Sequence, residues 1–347
     1  DNATLVYSMA GSLWRQSIGT ATATQLTAGG GYDYQPDVSP DGRWVVFDRY
    51  DGNAVELELL DLSTRTVTAL TNNHAVNIEP RWSPDGKRIA FVSTAFRRRW
   101  HVYTMDVRDR RGSEPRRISV DRDSGLPRYY YSVYDHYLSP TWSPDGKELL
   151  VVSNRNHIWG TGGFWRMRAE PGDSMRSVHD EETTWKARPD WSPDGTRVVY
   201  SSYLGTQYNQ LWLMRSDGGD PLELTYGAFD ATSPRWSRDA RHIAYISNEG
   251  GNTSLWVLDM PGTAKHRVEA RTRTYLEPVG TLSIAVTDQA GRAMDARVSI
   301  TGADGRSWAP STALMHADDS FDRSERHFEV GYYHTSGAST LTVPAGT

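Results

Sequence analysis

The densest gathering of metal-ligand side chains lies near the C-terminal end, where His316, Asp318, Asp319, Asp322, His327 and His334 share one short block. Imidazole and carboxylate are the ligand types of zinc, iron and manganese sites. Their spacing matches no compact ligand motif, so several would have to converge by folding. Structural or solvated roles are the simpler reading, and no metal is expected to bind within this chain. A second set is aromatic. Residues 119–139 hold Tyr129, Tyr130, Tyr131, Tyr134 and Tyr137 beside Arg128, Asp135 and His136. Rigid rings with polar tips on a long connection suit recognition of a peptide, a glycan or an aromatic ligand. The alternative is that these tyrosines pack the connection onto its own surroundings.

Several chemistries are absent as motifs. There is no Gly-x-Ser-x-Gly nucleophile elbow, no His-Glu-x-x-His and no phosphate-binding glycine loop. The chain has no cysteine, which removes disulfides, thiolate metal sites and thiol nucleophiles. A net charge of −5 with 23% charged residues gives no basic face for nucleic acid. No apolar run reaches the ~18 residues that span a bilayer. The chain opens at Asp1 without a charged-then-apolar leader, as expected of a mature exported protein or a trimmed chain. No catalytic residue is therefore expected.

The elements that would position these side chains come from a repeat. Five segments align: Gln35-Pro-Asp-Val-Ser-Pro-Asp-Gly42, Glu79-Pro-Arg-Trp-Ser-Pro-Asp-Gly86, Ser139-Pro-Thr-Trp-Ser-Pro-Asp-Gly146, Arg188-Pro-Asp-Trp-Ser-Pro-Asp-Gly195 and Ser233-Pro-Arg-Trp-Ser-Arg-Asp-Ala240. Their serines (39, 83, 143, 192 and 237) are separated by 44, 60, 49 and 45 residues. A four-stranded propeller blade needs about 40–45 residues, so the longer intervals carry insertions. Ser-Pro-Asp-Gly fits a type I turn, with Pro presetting φ at its second position. A β-rich run follows each turn. The motif Trp (82, 142, 191 and 236, with Val38 in the first copy) is expected between neighbouring blades.

The two ends are expected to make a sixth blade. Residues 4–9, 13–16 and 24–26 read as its second, third and fourth strands. The missing first strand is expected from about 275–279, where Leu276-Glu-Pro-Val279 is similar to the Pro-x-Trp step. The motif copies closely resemble the TolB-type propeller repeat, over about residues 4–279. The resemblance implies an all-β, six-bladed propeller over 1–279 closed by both termini. It carries little about function, because similar propellers occur in binding proteins and in peptidases alike.

After residue 270 the rhythm changes. Residues 280–291, 296–305 and 339–346 alternate apolar and polar side chains into turns, as in a β-sandwich. Residues 280–347 are read as a partial β-sandwich or linker that the natural chain continues. The block 316–337, with Val343-Pro-Ala-Gly346, resembles the linker of secreted CehA/McbA-type metallohydrolases of the PHP superfamily. In those proteins a TolB-type propeller precedes the metal-binding hydrolase domain. The resemblance implies a divalent metal such as zinc in an absent downstream domain, and no cofactor in this chain. It also gives His316, Asp318, Asp319, His327 and His334 a role in contacting that domain or supporting its ligands.

Two functions follow as expectations. One is the non-catalytic propeller module of an exported metal-dependent hydrolase, shaping substrate access or binding partners. The other is a periplasmic, TolB-like protein- or peptide-binding propeller with no enzymatic activity. Either implies a periplasmic or secreted location and a protein, peptide or small-molecule partner. The connections between blades are expected to ring a pocket on one face. Its candidates are Tyr34, Tyr129, Tyr130, Tyr134, His136, Lys186, Arg188 and Asp230.

Overall fold

The computed structural model describes residues 2–29, 31–128, 132–181, 187–262, 264–303, 305–317 and 331–345. Every element among them is a strand. Five consecutive antiparallel sheets form blade 2 (residues 32–69), blade 3 (77–117), blade 4 (137–179), blade 5 (190–223) and blade 6 (231–268). Each opens on the motif strand, and the motif turn leads into the second strand. In all five turns the serine hydroxyl donates to the aspartate, at 2.5–2.6 Å. That aspartate in turn accepts the backbone N–H of Arg43, Lys87, Lys147, Thr196 or Arg241. The turn therefore satisfies its own polar groups and reverses the chain tightly.

Proline has no N–H for the ladder, so the motif strand must bulge. Register shifts occur at this step in blades 2, 3, 4 and 6. The residue before the proline takes up the distortion with a left-handed backbone: Gln35, Glu79, Ser139, Arg188 and Ser233 have φ between 38° and 56°. The bulge brings side chains of different blades into contact. Glu79 accepts the Ser139 N–H at 2.5 Å and lies 3.8 Å from Arg188 Nε, two blades away. Arg81 pairs with Asp190 and lies 3.9 Å from Asp37. These ion pairs cross the centre of the ring, and Arg81 is only 12% exposed.

The motif tryptophans pack between blades, as their repetition predicts. Trp82 joins Val46, Leu57 and Leu59 of blade 2 to Ile89 and Phe91 of blade 3. Trp142 and Trp191 do the same for the next two junctions. The turn glycines face the preceding turn prolines: Gly86 on Pro40, Gly146 on Pro84 and Gly195 on Pro144.

Blade 1 combines Thr4–Met9, Ser12–Ser17 and Thr22–Gln25 with Thr272–Thr274. A repeated cap identifies its strand positions. Thr27 Oγ1 accepts the Leu13 N–H, just as Thr71 caps Leu57, Ser119 caps Val102 and Thr225 caps Leu211 on the third strands of later blades. Ser12–Ser17 is thus a third strand, and Thr4–Met9 a second strand. The expected inner strand from about 275–279 is a correction. Thr272–Thr274 instead adds in parallel to the outer edge, beside Thr22–Gln25. Among the described residues no strand lies inside Thr4–Met9. The decayed fifth motif bridges that side: Arg238, where other copies have Pro, donates to the carbonyls of Val38, Ser39 and Pro40.

The C-terminal segment forms two small antiparallel sheets. Val279–Ala285 pairs with Ala338–Pro344, and Gly331–Thr335 lies between Ala296–Val298 and His316–Ala317.

Candidate binding face

Antiparallel blades dictate two unlike faces. Turns between first and second strands, and between third and fourth, open on the lower face, where the motif turns lie. Connections from second to third strand, and from one blade to the next, open on the upper face. Among residues 2–274, eight large hydrophobic residues are described as exposed, and seven sit on the upper face. Ile158 and Trp159 belong to the second-to-third connection of blade 4, and Leu204 and Tyr208 to that of blade 5. Val133 and Tyr226 lie on blade-to-blade connections, and Tyr34 at the upper end of the blade 2 inner strand. Leu222, at the start of an outer strand, is the one on the lower side. Apolar side chains collected on one face mark an interaction surface more than scattered ones do.

Part of this face is covered from within the chain. Arg306, 3% exposed, reaches down from the C-terminal segment. Its guanidinium donates to Ser12 Oγ at 3.1 Å, to Gly29 O at 3.0 Å and to Gly31 O. Ser307 N–H donates to the Tyr32 hydroxyl at 2.8 Å. Asn252, on the blade 6 connection, meets Thr312 O at 3.5 Å. These contacts fall on blades 1, 2 and 6. They leave the apolar side chains of blades 4 and 5 uncovered by them.

The candidate residues divide accordingly. Tyr34 is 42% exposed and stacks on Tyr32, with ring centroids 6.1 Å apart. Arg188 sits at the central bulge, its backbone O accepting from Arg235 at 3.2 Å. Tyr134 lies beneath the Arg99 guanidinium, 3.2 Å from its ring centroid. Asp230 ties connections together, accepting from Asn209 N and Nδ2 at 2.8 and 3.0 Å. Arg188 acts electrostatically on Asp48, and Asp48 on Tyr34, whereas Tyr134 and Asp230 brace connections. Tyr129, Tyr130 and Lys186 lie outside the described residues.

His136 is buried. It is 6% exposed, its N–H donates to Asn154 Oδ1 at 3.0 Å, and its Nε2 meets Thr161 O at 3.3 Å. Burial pulls its pKa down to about 4. Burial therefore keeps its imidazole neutral at ordinary pH. Its neighbours are held in place as well: the buried Asp135 carboxylate takes Arg128 at 2.6 Å and Arg122 at 2.9 Å. Arg128 also donates to His157 O and Asn154 O. Tyr137 is fully buried, with its hydroxyl on Val120 O. Much of the long connection is therefore stapled to blade 4.

Ile158, Trp159, Leu204 and Tyr208 were not among the residues that motif reading selects. Their signal was available: bulky apolar side chains inside Asn154-Arg-Asn-His-Ile-Trp-Gly160 and Tyr203-Leu-Gly-Thr-Gln-Tyr-Asn209, runs otherwise rich in turn formers.

Beside them is a cavity of about 500 Å³ lined by Asn156, His157, Trp165, Ser177, Asp180 and Glu181. His157 Nε2 lies 2.8 Å from Asp180 Oδ1, and His179 Nε2 3.1 Å from Glu181 Oε2. The Ser202 hydroxyl donates to Glu181. Among the described residues no three His, Asp or Glu are placed to hold a metal ion. In the C-terminal block, His316 opposes Tyr332 and His334 opposes Arg297 in their strand pairs. Asp318, Asp319, Asp322 and His327 lie outside the described residues.

Comparison with known proteins agrees with this architecture. The family described as TolB beta propeller domain matches residues 7–157 and 121–308. The Tol-Pal system protein TolB of Anaeromyxobacter dehalogenans is 29% identical over 119 residues, covering 34% of this chain and 26% of that protein. An uncharacterized peptidase, YuxL of Bacillus subtilis, is 28% identical over 119 residues, covering 33% and 18%. The matched stretches thus span well under half of either relative. Among solved structures, TolB of Acinetobacter baumannii superposes with a TM-score of 0.62 at 19% identity, over 78% of this chain and 65% of that one. A TolB-type structure from Agrobacterium tumefaciens gives 0.58 at 18% identity, over 78% and 92%. Those structural likenesses speak for the fold. With the family match running across most of its length, the chain belongs to the TolB beta propeller domain family.

Proposed function

We propose that this chain is a non-catalytic binding module whose upper face holds a polypeptide partner. The observation that carries this reading is the placement on one face of seven of the eight exposed large hydrophobic residues described among residues 2–274. Shape supports it too. Ion pairs cross the centre of the ring, so a partner would lie on the mouth of the ring and not thread through it. A periplasmic or secreted setting belongs to the same proposal.

The test compares the chain, a Trp159→Ser/Tyr208→Ser double variant and a Leu222→Ser variant as baits in lysate of the organism that encodes it. Proteins retained by the chain and by Leu222→Ser, and lost with the double variant, are the expected outcome. Equal retention by all three baits, or no protein above empty resin, would sink the reading.

Service to a metal-dependent hydrolase is the narrower form of this proposal. It has in its favour that residues 305–312 of the C-terminal segment already lie on the same face. Coding sequence beyond Thr347 that specifies His and Asp metal ligands would support it, and a stop codon there would end it.

A further inference from the structure

Asp48 breaks the repeat at a place where breaking it is costly. It stands opposite Tyr34, immediately before the bulge of blade 2. The same place is Val92 opposite Ile78 in blade 3, Val152 opposite Leu138 in blade 4 and Ile246 opposite Thr232 in blade 6. Three blades thus fill the position with a branched apolar side chain, blade 5 places the small, buried Ser201 there opposite Ala187, and blade 2 fills it with a carboxylate. Asp48 is 3% exposed, and its Oδ1 is buried with no hydrogen-bond partner. A buried polar atom without a partner destabilises the fold, so its presence calls for a reason outside stability.

The other carboxylates nearby are provided for. Asp33 takes a two-point contact from Arg49, at 2.6 and 3.0 Å. Glu79 accepts from Ser139 and faces Arg188. Burial is the main influence on Asp48 and holds its carboxyl up at about 7. Arg188 works against that shift, while Glu79 and Asp33 add to it. Among the described residues no cation is in contact with Asp48. Tyr34, directly across the strand pair and 42% exposed, presents an aromatic ring towards solvent on the upper face. A flat cation satisfies a carboxylate and an aromatic face together, and guanidinium is the side-chain group of that shape.

We propose that Asp48 and Tyr34 form an acceptor for a guanidinium group carried by the bound polypeptide. The inference rests on the reading of the upper face as the binding face, and it names the chemistry that face selects. Charge neutralisation by the ligand replaces the missing internal partner. An arginine side chain entering past Tyr34 would be fixed at one point, while the apolar side chains of blades 4 and 5 take the rest of the partner.

The experiment uses the intact chain labelled with carboxyl-¹³C aspartate, with Asp48 assigned by loss of its signal in Asp48→Asn. The Asp48 titration midpoint is followed alone, with methylguanidinium, and with methylurea, a neutral molecule of the same shape. Methylguanidinium should lower the midpoint by at least one pH unit, which corresponds to about tenfold tighter binding to the ionised form. Methylurea should leave it in place. In Tyr34→Leu the downward shift should shrink at equal methylguanidinium concentration. An unchanged midpoint with methylguanidinium, or an equal shift with methylurea, would overturn the inference. That failure is separable from failure of the binding face, because retention of partners by the three baits does not depend on the Asp48 titration.

Discussion

Replacing Asp48 by Val, the side chain of the equivalent places in blades 3 and 4, should make the propeller more stable, and more so as pH rises. The carboxyl goes from an ordinary 3.8 to about 7 in the folded chain. Between those values the unfolded chain has released its proton and the folded chain has kept it. Stability is therefore unaffected by this group below about pH 4, falls as pH rises, and carries the full cost above about pH 7. The full cost corresponds to about 4 kcal/mol, of which about 3 kcal/mol accrues between pH 5 and pH 8. Urea unfolding of both proteins at those two pH values reads it directly. His101 and His136, both held neutral by burial, titrate in the two proteins alike, so the difference between proteins isolates Asp48. The stability advantage of Asp48→Val should grow by about 3 kcal/mol across that window. An advantage that stays constant with pH would refute the account of Asp48 as a buried carboxylate left without a partner.

Two further outcomes follow from the same contacts. His136 stays neutral in the fold down to about 4. The unfolded chain takes up its proton from about pH 6.5 downward, so stability is lost as pH falls through that interval, about 2 kcal/mol by pH 5. His136→Gln, compared with the unaltered chain by unfolding at about pH 7 and pH 5, should lose less, and an equal loss would contradict the burial argument. Arg306→Ala removes the guanidinium that holds the C-terminal segment to Ser12, Gly29 and Gly31, a contribution of about 2 kcal/mol. Hydrogen exchange should quicken in residues 279–345 and stay unchanged in blades 4 and 5. Unchanged exchange in the segment would show that other contacts hold it.

The repeat was legible because each of its residues does a mechanical job. Ser, Pro, Asp and Gly make one turn and Trp fills one junction between blades, so the copies mark five units even though Val38 replaces Trp in the first and Arg238 and Ala240 replace Pro and Gly in the last. The strand from 272–274 escaped sequence reading because ring closure is a long-range pairing. Nothing in Thr272-Arg-Thr274 distinguishes an outer parallel strand from an inner antiparallel one. Arg238 looked like decay of the motif and is a bridge to the first copy. The burial of His136 was not legible, because residue type does not reveal it. The long tyrosine-rich connection drew attention by its length, yet Asp135, Arg128 and Tyr137 within it are buried structure. Asp48 could have been found by aligning the second strands, where a carboxylate stands in the place of Val, Val, Ser and Ile in blades 3 to 6.

The central claim is that the upper face of the propeller binds. Its most direct measurement is the dissociation constant of the retained partner for the chain, for Trp159→Ser/Tyr208→Ser and for Leu222→Ser. Large apolar anchors at an interface contribute about 1–2 kcal/mol each, so the double variant should bind at least about tenfold more weakly. Leu222→Ser, altered on the opposite side, should bind as the chain does. Equal affinity of the double variant and the unaltered chain would contradict the claim.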